Sequence, residues 1–445
     1  MAHLHLRFVL SAFLFLWLAI TMVTAADDSR YIITIDGGSS GSRIHIHKVA
    51  PPTKDQPVPK ILHTVNKKIK PGLSSFEHNP RDVQGHVTGL IDFAMENIPS
   101  DKIASTPLYL KATAGLRSIP KAASDQILAV VRGNFAATPF LFEADWARII
   151  TGTEEGTFSW IAVNYLKGRF GQSKLPLLGV MEMGGASLQI SYPLPHQISG
   201  EDVVQVHLDD TYYLYAHSFL GYGLDKAQEL MATKNPESLP TCYPQGYNTD
   251  SITGRGDFGT CYSAMDSLMG KSACPASTSD SCTMNGKLMP NFSSVNFVAI
   301  ENFFYTSEFL DIIDNFAAMP DKGREFCSRQ WEDSRQLYPN EDYNDLTRYC
   351  FSTAFITAVM EKGFQIPLKQ VEVARHIGDA DIDWPVGSVI YDMMTHFPKS
   401  DGRQGKSIAT TKNDEIQVFF LVAGFVLLTI AFAYQRKRKN ARSLR

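Results

Sequence analysis

The alternation of apolar and polar positions predicts two strand-turn-strand units of similar design. Apolar runs at 31–35 and 177–181 are each followed by a glycine-rich turn, and then by alternating segments at 43–49 and 188–192. A period of two is typical of half-buried strands, and glycine-rich turns commonly join antiparallel strands. Each unit is therefore predicted to be a β-hairpin whose tip carries no bulky side chain.

Segments with helical periodicity separate these strands, which indicates an α/β fold. Helices are predicted at 82–97, 122–132, 156–167, 301–316, 349–362 and 386–394, and a further strand at 107–111. The proline-rich segment 51–59 is expected to be a surface loop, and 236–290 an irregular insertion. The chain of 445 residues exceeds one typical core, so two domains are expected.

Both ends of the chain carry membrane-targeting patterns. Residues 1–26 have an apolar run after Arg7 and end in small residues, which fits a cleaved signal peptide or an uncleaved signal anchor. Residues 416–434 carry no charge and as a helix would span about 28 Å, enough for a bilayer core. Residues 400–415 are then a polar stalk, and the basic tail 435–445 is expected in the cytosol.

These patterns predict a membrane protein of the plasma membrane or of the Golgi and secretory pathway, with its main part outside the cell or in a lumen. It crosses the membrane once, or twice if the first segment is retained. All six cysteines lie between Cys242 and Cys350, and an even number in one region favours disulfides. Asn291 begins an N-glycosylation sequon. The net charge of −4 gives no basic field, so no nucleic-acid partner is expected.

The tips of the two hairpins carry the residue types that a polyphosphate requires. An acid, a glycine-rich turn and a hydroxyl recur in DGGSSGSR (36–43) and EMGGASLQ (182–189). Glycines let backbone N–H groups approach phosphate oxygens, hydroxyls add donors, and a carboxylate can hold a divalent cation through water. An ordinary hairpin turn explains either loop alone. Their repetition favours a phosphate site between them.

Two further segments supply the remaining parts of a hydrolytic site. KATAGLR (111–117) follows a strand and fits either a third wall for phosphates or a tight turn into a helix. Glu154 and Glu155 begin a predicted helix, where one acid can cap and the other can act as a general base. Phosphoryl transfer to water needs positioned phosphates, a cation and an acceptor for the proton. The sequence contains no G-x-x-x-x-G-K-[ST], which excludes a Walker-type ATPase.

Four segments of the chain resemble the apyrase-conserved regions in their amino-acid sequence and in their order. They are DGGSSGSR, KATAGLR, ARIITGTEEGTFSWIAVNYLKG and GVMEMGGASLQI, and HSFLGYGLDKA (217–227) and YCFS (349–352) extend the match. The chain thus resembles an ecto-nucleoside triphosphate diphosphohydrolase (apyrase) of the actin-like ATPase superfamily, from about residue 31 to 394. The resemblance implies two ribonuclease-H-like domains, 27–150 with 378–399 and 151–377, and a nucleotide in the cleft between them. It also implies stepwise hydrolysis of nucleoside tri- and diphosphates with Ca²⁺ or Mg²⁺.

The resemblance further implies a role for each matching residue. Glu155 would be the general base for the attacking water, which Ser187 and Gln189 would help to hold. Asp36 and Glu182 would hold the water shell of the metal; the family usually has Asp where this chain has Glu182. The implied phosphate contacts are Ser39, Ser40, Thr113, Gly184 and Gly185. Tyr349 and Tyr305 would flank the nucleobase, with aromatic core packing as the alternative for Tyr305.

The resemblance also bears on the disulfides. Cys327 with Cys350 matches a family bridge, and an interleaved pairing of Cys242 with Cys274 and Cys261 with Cys282 is expected for the others. Two rival functions remain at this point: a sugar-kinase-like or heat-shock-type ATPase, and a nucleotide-binding or adhesive ectodomain that uses Arg255-Gly256-Asp257. The water-activating set around Glu155 argues against a pure binding function.

Overall fold

Each predicted hairpin forms the centre of a mixed β-sheet. The computed structural model describes residues 28–171, 173–270 and 281–395. Its strands are Arg30–Gly37 (β1), Ser42–Ala50 (β2), Lys60–Ile69 (β3), Leu108–Ala112 (β4), Ala147–Ile149 (β5), Gly179–Met183 (β6), Ser187–Pro193 (β7), Val203–His207 (β8), Thr211–Leu220 (β9), Ser281–Cys282 (β10), Leu288–Met289 (β11), Phe297–Glu301 (β12), Val371–Val373 (β13), His376–Ile377 (β14) and Ala380–Asp381 (β15). The larger sheets have the orders β3-β2-β1-β4-β5 and β13-β12-β6-β7-β9-β8.

The two sheets share one pattern of strand directions. β1 is antiparallel to β2 and parallel to β4, and β6 is antiparallel to β7 and parallel to β12. The last paired residues before the turn are Gly37 and Ser42 in one hairpin, and Met183 and Leu188 in the other. Both hairpin predictions are therefore confirmed. The two turns lie at the carboxyl ends of central parallel strands, which is the sheet edge where α/β proteins bind ligands.

Helices cover the sheets. Their bounds are Val83–Asn97, Ala114–Arg117, Lys121–Ala136, Gly152–Leu166, Leu224–Lys234, Phe258–Ala264, Asp266–Met269, Asn302–Phe309, Met319–Ser328, Trp331–Leu337, Tyr343–Ala358 and Trp384–Thr395. In the first of them Val83, Val87, Leu90 and Ala94 are buried at helical spacing, because this face packs on Ile33 and its neighbours in the first sheet.

The helix Gly152–Leu166 is buried along most of its length. Every residue from Glu155 to Asn164 is shielded from solvent. One side of the helix lies on β7 and β9 and another on the helix Trp384–Thr395. Because the helix is buried on several sides, its sequence lacks a polar face. The same packing fixes the position of Glu155 in the molecule.

Two helix predictions differ from the structure at their ends. The segment predicted as one helix at 301–316 is an α-helix from Asn302 to Phe309, followed by a 3-10 helix at Ile313–Ala318. Glu301 (φ 61°) and Asp311 (φ 56°) have left-handed backbone conformations that do not continue an α-helix. The helix predicted at 349–362 begins at Tyr343, because the Asp342 carboxylate accepts hydrogen bonds from the N–H groups of Asn344 and Asp345.

The helix Trp384–Thr395 brings the end of the described chain back to the first sheet. Lys111 Nζ of β4 lies 2.5 Å from Asp392 Oδ2, and Val389 packs with Tyr109. Trp384 at the start of this helix stacks on Phe158, with 6.3 Å between the ring centroids. The helix thus contacts both the first sheet and the helix that carries Glu155. The domain boundaries themselves stay predictions.

The disulfides correct one part of the sequence analysis. Cys327 is bonded to Cys350, as predicted. Cys242 is bonded to Cys261 and not to Cys274, so the interleaved pairing is wrong for both Cys242 and Cys261. The physical reason is local: the helix Phe258–Ala264 folds back within the insertion and brings the two Cα atoms to 5.0 Å. Cys282 is also disulfide-bonded, and Cys274 lies outside the described residues.

The predicted membrane-targeting segments 1–26, 400–415, 416–434 and 435–445 lie outside the described residues. Within the ranges that the structure describes, no helix is long and apolar enough to cross a bilayer. Asn291 of the glycosylation sequon is exposed, and its Oδ1 accepts a hydrogen bond from the backbone of Ser293.

Candidate active site

The two glycine-rich loops face each other across a cavity of about 340 Å³. A side chain at Gly185 would place its Cβ 3.0 Å from Ser39 Oγ of the opposite loop and 2.3 Å from Asp225 Oδ2. A Cβ at Gly115 would lie 2.9 Å from Ser39 Cα, so this glycine lets the KATAGLR turn pack against the first loop. The small residues in these motifs therefore allow three backbone segments to approach one another closely.

Most of the predicted site residues line this one cavity. They are Asp36, Ser39, Ser40, Thr113, Glu155, Glu182, Gly184, Gly185, Ser187 and Tyr305. Gln189 does not line it but contacts Ser187, and Tyr349 lines a neighbouring cavity. Residues far apart in the sequence are therefore brought together as predicted, while their roles in the reaction stay predictions.

The local structure separates the two adjacent acids, Glu154 and Glu155. Thr151 and Glu154 form a capping box, in which the Thr151 hydroxyl accepts from the Glu154 N–H and the Glu154 carboxylate accepts from the Thr151 N–H. Glu154 also pairs with Arg148, with 2.6 Å between Arg148 Nη2 and Glu154 Oε1. Glu154 is therefore the capping residue, and Glu155 lines the cavity.

Arg117 holds the Glu155 carboxylate. Its Nη2 lies 2.6 Å from Glu155 Oε2, and its Nη1 donates to the carbonyl oxygen of Ile150 at 2.9 Å. Glu155 is only 6% exposed, and this burial raises the pKa of its carboxyl group, while the Arg117 guanidinium lowers it. Arg117 was not predicted as a site residue, although it is the last residue of the KATAGLR motif.

Ser187 and Gln189 form a hydrogen-bonded unit beside Glu155. Gln189 Nε2 donates to Ser187 Oγ at 2.6 Å and to Ser218 Oγ at 3.0 Å. Arg117 Nη2 lies 3.5 Å from the same Ser187 oxygen. Because the Ser187 oxygen already accepts from Gln189, its own O–H can donate to a molecule in the cavity.

The acidic residues of the two loops fit a divalent cation. Burial and the neighbouring Glu155 carboxylate raise the pKa of Asp36 and of Glu182 well above their ordinary values. Ser159 donates a hydrogen bond to Glu182, whereas Asp36 Oδ1 is buried with no hydrogen-bond partner among the described residues. A cation near these groups would stabilise their charged forms, and hard divalent cations prefer oxygen donors.

No group of three or more His, Cys, Asp or Glu side chains in the described ranges is arranged to bind a metal directly. The role predicted for Asp36 and Glu182 does not require such a group, because it concerns the water shell of the cation. Both residues line the same cavity as Glu155. Their carboxylates are therefore available to hold that shell beside the predicted base.

Further charged residues of the cavity were missed in the sequence. Arg43 stands directly opposite Asp36 in the β1–β2 register, and its Nη1 lies 3.9 Å from Asp383 Oδ2. Burial raises the pKa of Asp383 to about 7, with Arg43 acting in the opposite direction. Lys68 Nζ donates to Ser40 Oγ at 3.4 Å. Arg43 could have been found from its place at the end of DGGSSGSR, whereas Lys68 and Asp383 come from elements with no motif.

A second cavity of about 450 Å³ adjoins the first and shares Asn302, Tyr305, Asp345 and Arg348 with it. Both tyrosines predicted to bind the base therefore line the same space. Tyr349 stacks on Phe309, with 3.6 Å between the centroids and 3° between the planes, so one of its faces is covered. The Tyr349 hydroxyl donates to Glu341 Oε1 at 2.7 Å.

The fold and the cleft define a class of two-sheet α/β proteins with glycine-rich loops at the carboxyl ends of matching strands. A solved structure with this fold is that of nucleoside triphosphate hydrolases from Neospora caninum. It has a TM-score of 0.61 and 16% sequence identity, and the match covers 89% of this chain and 97% of that one. The described part of the chain thus fits two actin-like domains.

The chain belongs to the GDA1/CD39 (nucleoside phosphatase) family, whose model matches residues 22–404. Similar relatives include a probable apyrase 5 of Arabidopsis thaliana, 30% identical over 422 residues that cover 85% of each chain. Another is the nucleoside-triphosphatase ntp-1 of Caenorhabditis elegans, 30% identical over 410 residues that cover 83% of this chain and 74% of the relative. The resemblance seen in the motifs is confirmed, and the chain is an enzyme of the nucleoside phosphatase class.

Proposed function

We propose that this protein hydrolyses the terminal phosphate of nucleoside tri- and diphosphates, giving inorganic phosphate and finally a nucleoside monophosphate, in the presence of Ca²⁺ or Mg²⁺. The observation that carries this proposal is the position of Glu155. Its buried carboxylate lines the cavity between two phosphate-type loops, while its neighbour Glu154 performs the capping. A carboxylate in that position can accept a proton from water beside a bound phosphate.

The residues divide the reaction between them. Backbone N–H groups of the two loops and the hydroxyls of Ser39 and Thr113 bind the phosphate oxygens. Ser187 and Gln189 orient a water molecule towards the terminal phosphorus. As the water oxygen bonds to phosphorus, Glu155 takes its proton and the bond from phosphorus to the bridging oxygen breaks. The cation, when bound through the water held by Asp36 and Glu182, offsets the negative charge of the phosphates.

We further propose that the enzyme works outside the cell or in a secretory lumen, anchored by residues 416–434. Support comes from the paired cysteines of the described residues, since disulfides persist in oxidising compartments. The exposed position of Asn291 suits glycosylation. The expected partners are nucleotides and the membrane, with no nucleic acid.

The test is phosphate release by the full-length protein and its Glu155→Gln variant, with ATP, ADP, GDP and UDP and with either cation. The substitution removes the proton acceptor, so the rate should fall by about 10²-fold or more, while nucleotide-induced thermal stabilisation persists. Glu154→Gln is the matched control, because glutamine also serves in a capping box, and it should keep most of the activity. Near-normal turnover of Glu155→Gln would refute the base assignment. Absence of release by the unmodified protein from every nucleotide would indicate a binding function.

A further inference from the structure

The cavity next to the glycine-rich loops contains three carboxylates, and two of them have no ion pair among the described residues. Its acidic residues are Glu308, Glu341 and Asp345, and its basic residue is Arg348. Arg348 is already paired with Asp225, and it also lies 3.8 Å from Asp345. Neither Glu308 nor Glu341 takes part in an ion pair with another described residue. This end of the cleft therefore presents hydrogen-bond acceptors.

The carboxylates of Glu308 and Glu341, which have no ion pair among the described residues, lie next to the two tyrosines of the cavity. Glu308 follows Tyr305 by three residues on the helix Asn302–Phe309, so both side chains lie on one face of that helix. Glu341 is fixed by the Tyr349 hydroxyl, which donates to its Oε1 at 2.7 Å. Its second oxygen is left to accept from another group. A planar base that stacks on either tyrosine would thus meet a carboxylate at its edge.

The nucleobases differ in the hydrogen-bond donors and acceptors that they present to such a carboxylate. Guanine presents two adjacent donors, N1–H and the 2-amino group, which match the two oxygens of a carboxylate. Adenine presents an acceptor beside its 6-amino group, and uracil places a carbonyl oxygen on each side of its single N–H. An ionised carboxylate only accepts hydrogen bonds, so it favours guanine and repels the carbonyl oxygens of uracil.

We propose that Glu308 and Glu341 make this enzyme selective for guanine nucleotides over uracil nucleotides. The inference rests on the proposed function, because it takes the neighbouring cavity to be the place of the base. It concerns the substrate class and leaves the reaction at the phosphates unchanged.

The experiment compares kcat/KM for GDP, IDP, ADP and UDP with the full-length protein. IDP differs from GDP only by lacking the 2-amino group, so it isolates that hydrogen bond. A hydrogen bond to a charged group is worth enough for about a tenfold difference. We therefore expect GDP to exceed IDP by about tenfold, and UDP to be poorer than both.

Two variants and one control assign the effect. Glu308→Gln and Glu341→Gln keep the side-chain size but add an amide donor that opposes the donors of guanine, so the ratio of GDP to IDP should fall towards one. Both residues are at least partly exposed, and thermal melting checks that the variants fold. Glu332→Gln, at an exposed glutamate in the helix Trp331–Leu337, should leave the ratio unchanged.

Three results decide the matter. Equal kcat/KM values for GDP and UDP would overturn the proposal, and so would a GDP preference that survives both substitutions. Lack of phosphate release from every nucleotide would refute the proposed function instead. In that case, equilibrium binding of GDP and UDP still tests the pocket, and equal affinities would overturn the selectivity.

Discussion

Replacement of Arg117 by glutamine should move the acid limb of the pH profile to higher pH. In the native protein the guanidinium counteracts the effect of burial on the Glu155 carboxyl group. Loss of this positive charge leaves the burial in place, so the pKa of Glu155 rises. The carboxylate, and with it the ability to accept a proton, is then lost at a higher pH as the solution is acidified.

The size of the effect follows from the geometry of the pair. Arg117 Nη2 and Glu155 Oε2 are 2.6 Å apart, and the side chains are 15% and 8% exposed. Charges about 4 Å apart at an effective dielectric constant of about 20 interact by about 4 kcal/mol. That figure is equivalent to about three pKa units. Solvent at the exposed edge of the pair screens this interaction and makes it weaker. An arginine next to a carboxyl group commonly lowers the carboxyl pKa by about one to three. We expect the acid limb of kcat/KM to move up by about one to three pH units.

The assay measures phosphate release between pH 4 and 9, in about half-unit steps, at saturating cation concentration. Arg117→Lys keeps the positive charge and should keep most of the native profile. Arg148→Gln is the matched control, because Arg148 pairs with the capping residue Glu154. Asp36 and Glu182 line the same cleft and also affect the acid limb of the native profile. The acid limb of each variant is therefore compared with that of the native protein. An Arg117→Gln profile that coincides with the native acid limb would refute the assignment of Glu155 as a base tuned by Arg117.

Two further predictions concern packing. Gly185→Ala should raise KM for the nucleotide, because its Cβ would lie 2.3 Å from Asp225 Oδ2 and would displace that side chain at the edge of the cavity. Gly133→Ala, at an exposed position of the helix Lys121–Ala136 with open space around it, should leave activity unchanged and raise the melting temperature. Lys111→Met should destabilise the protein by about 3–5 kcal/mol because it removes the cation that pairs with the buried Asp392 carboxylate. The double variant with Asp392→Leu should recover much of that loss in chemical denaturation, and a double variant no more stable than Lys111→Met would contradict the pairing.

Much of the fold could be predicted because its signals are local. The hairpin strands and the helix Val83–Asn97 show the expected periodicity, and the turns of the two hairpins are marked by glycine. The ends of helices were less predictable. The backbone at Glu301 and Asp311 is set by the packing around β12, and no residue type there announces a helix boundary.

The candidate site shows the same division. Asp36, Thr113, Glu155 and Ser187 were found because each lies in a motif next to a predicted strand or helix end. The Cys242–Cys261 bridge was missed, because several pairings are compatible with the same cysteine positions and only the fold of the insertion selects one. Glu301 and Asp383 also line the cleft, but neither lies in a motif that marks a functional residue.

The sequence by itself determined the two hairpins, the acidic and hydroxyl residues at their tips, and the family to which the chain belongs. Those features depend on residue types within short segments, where propensity and spacing act directly. The tertiary structure decided which groups meet. The packing pairs Arg117 with Glu155 and places Gly185 opposite Ser39. It also places Glu308 and Glu341 in the same cavity as the two tyrosines. Such contacts join residues up to more than a hundred positions apart, and they depend on how two sheets and their helices pack, which no local pattern encodes.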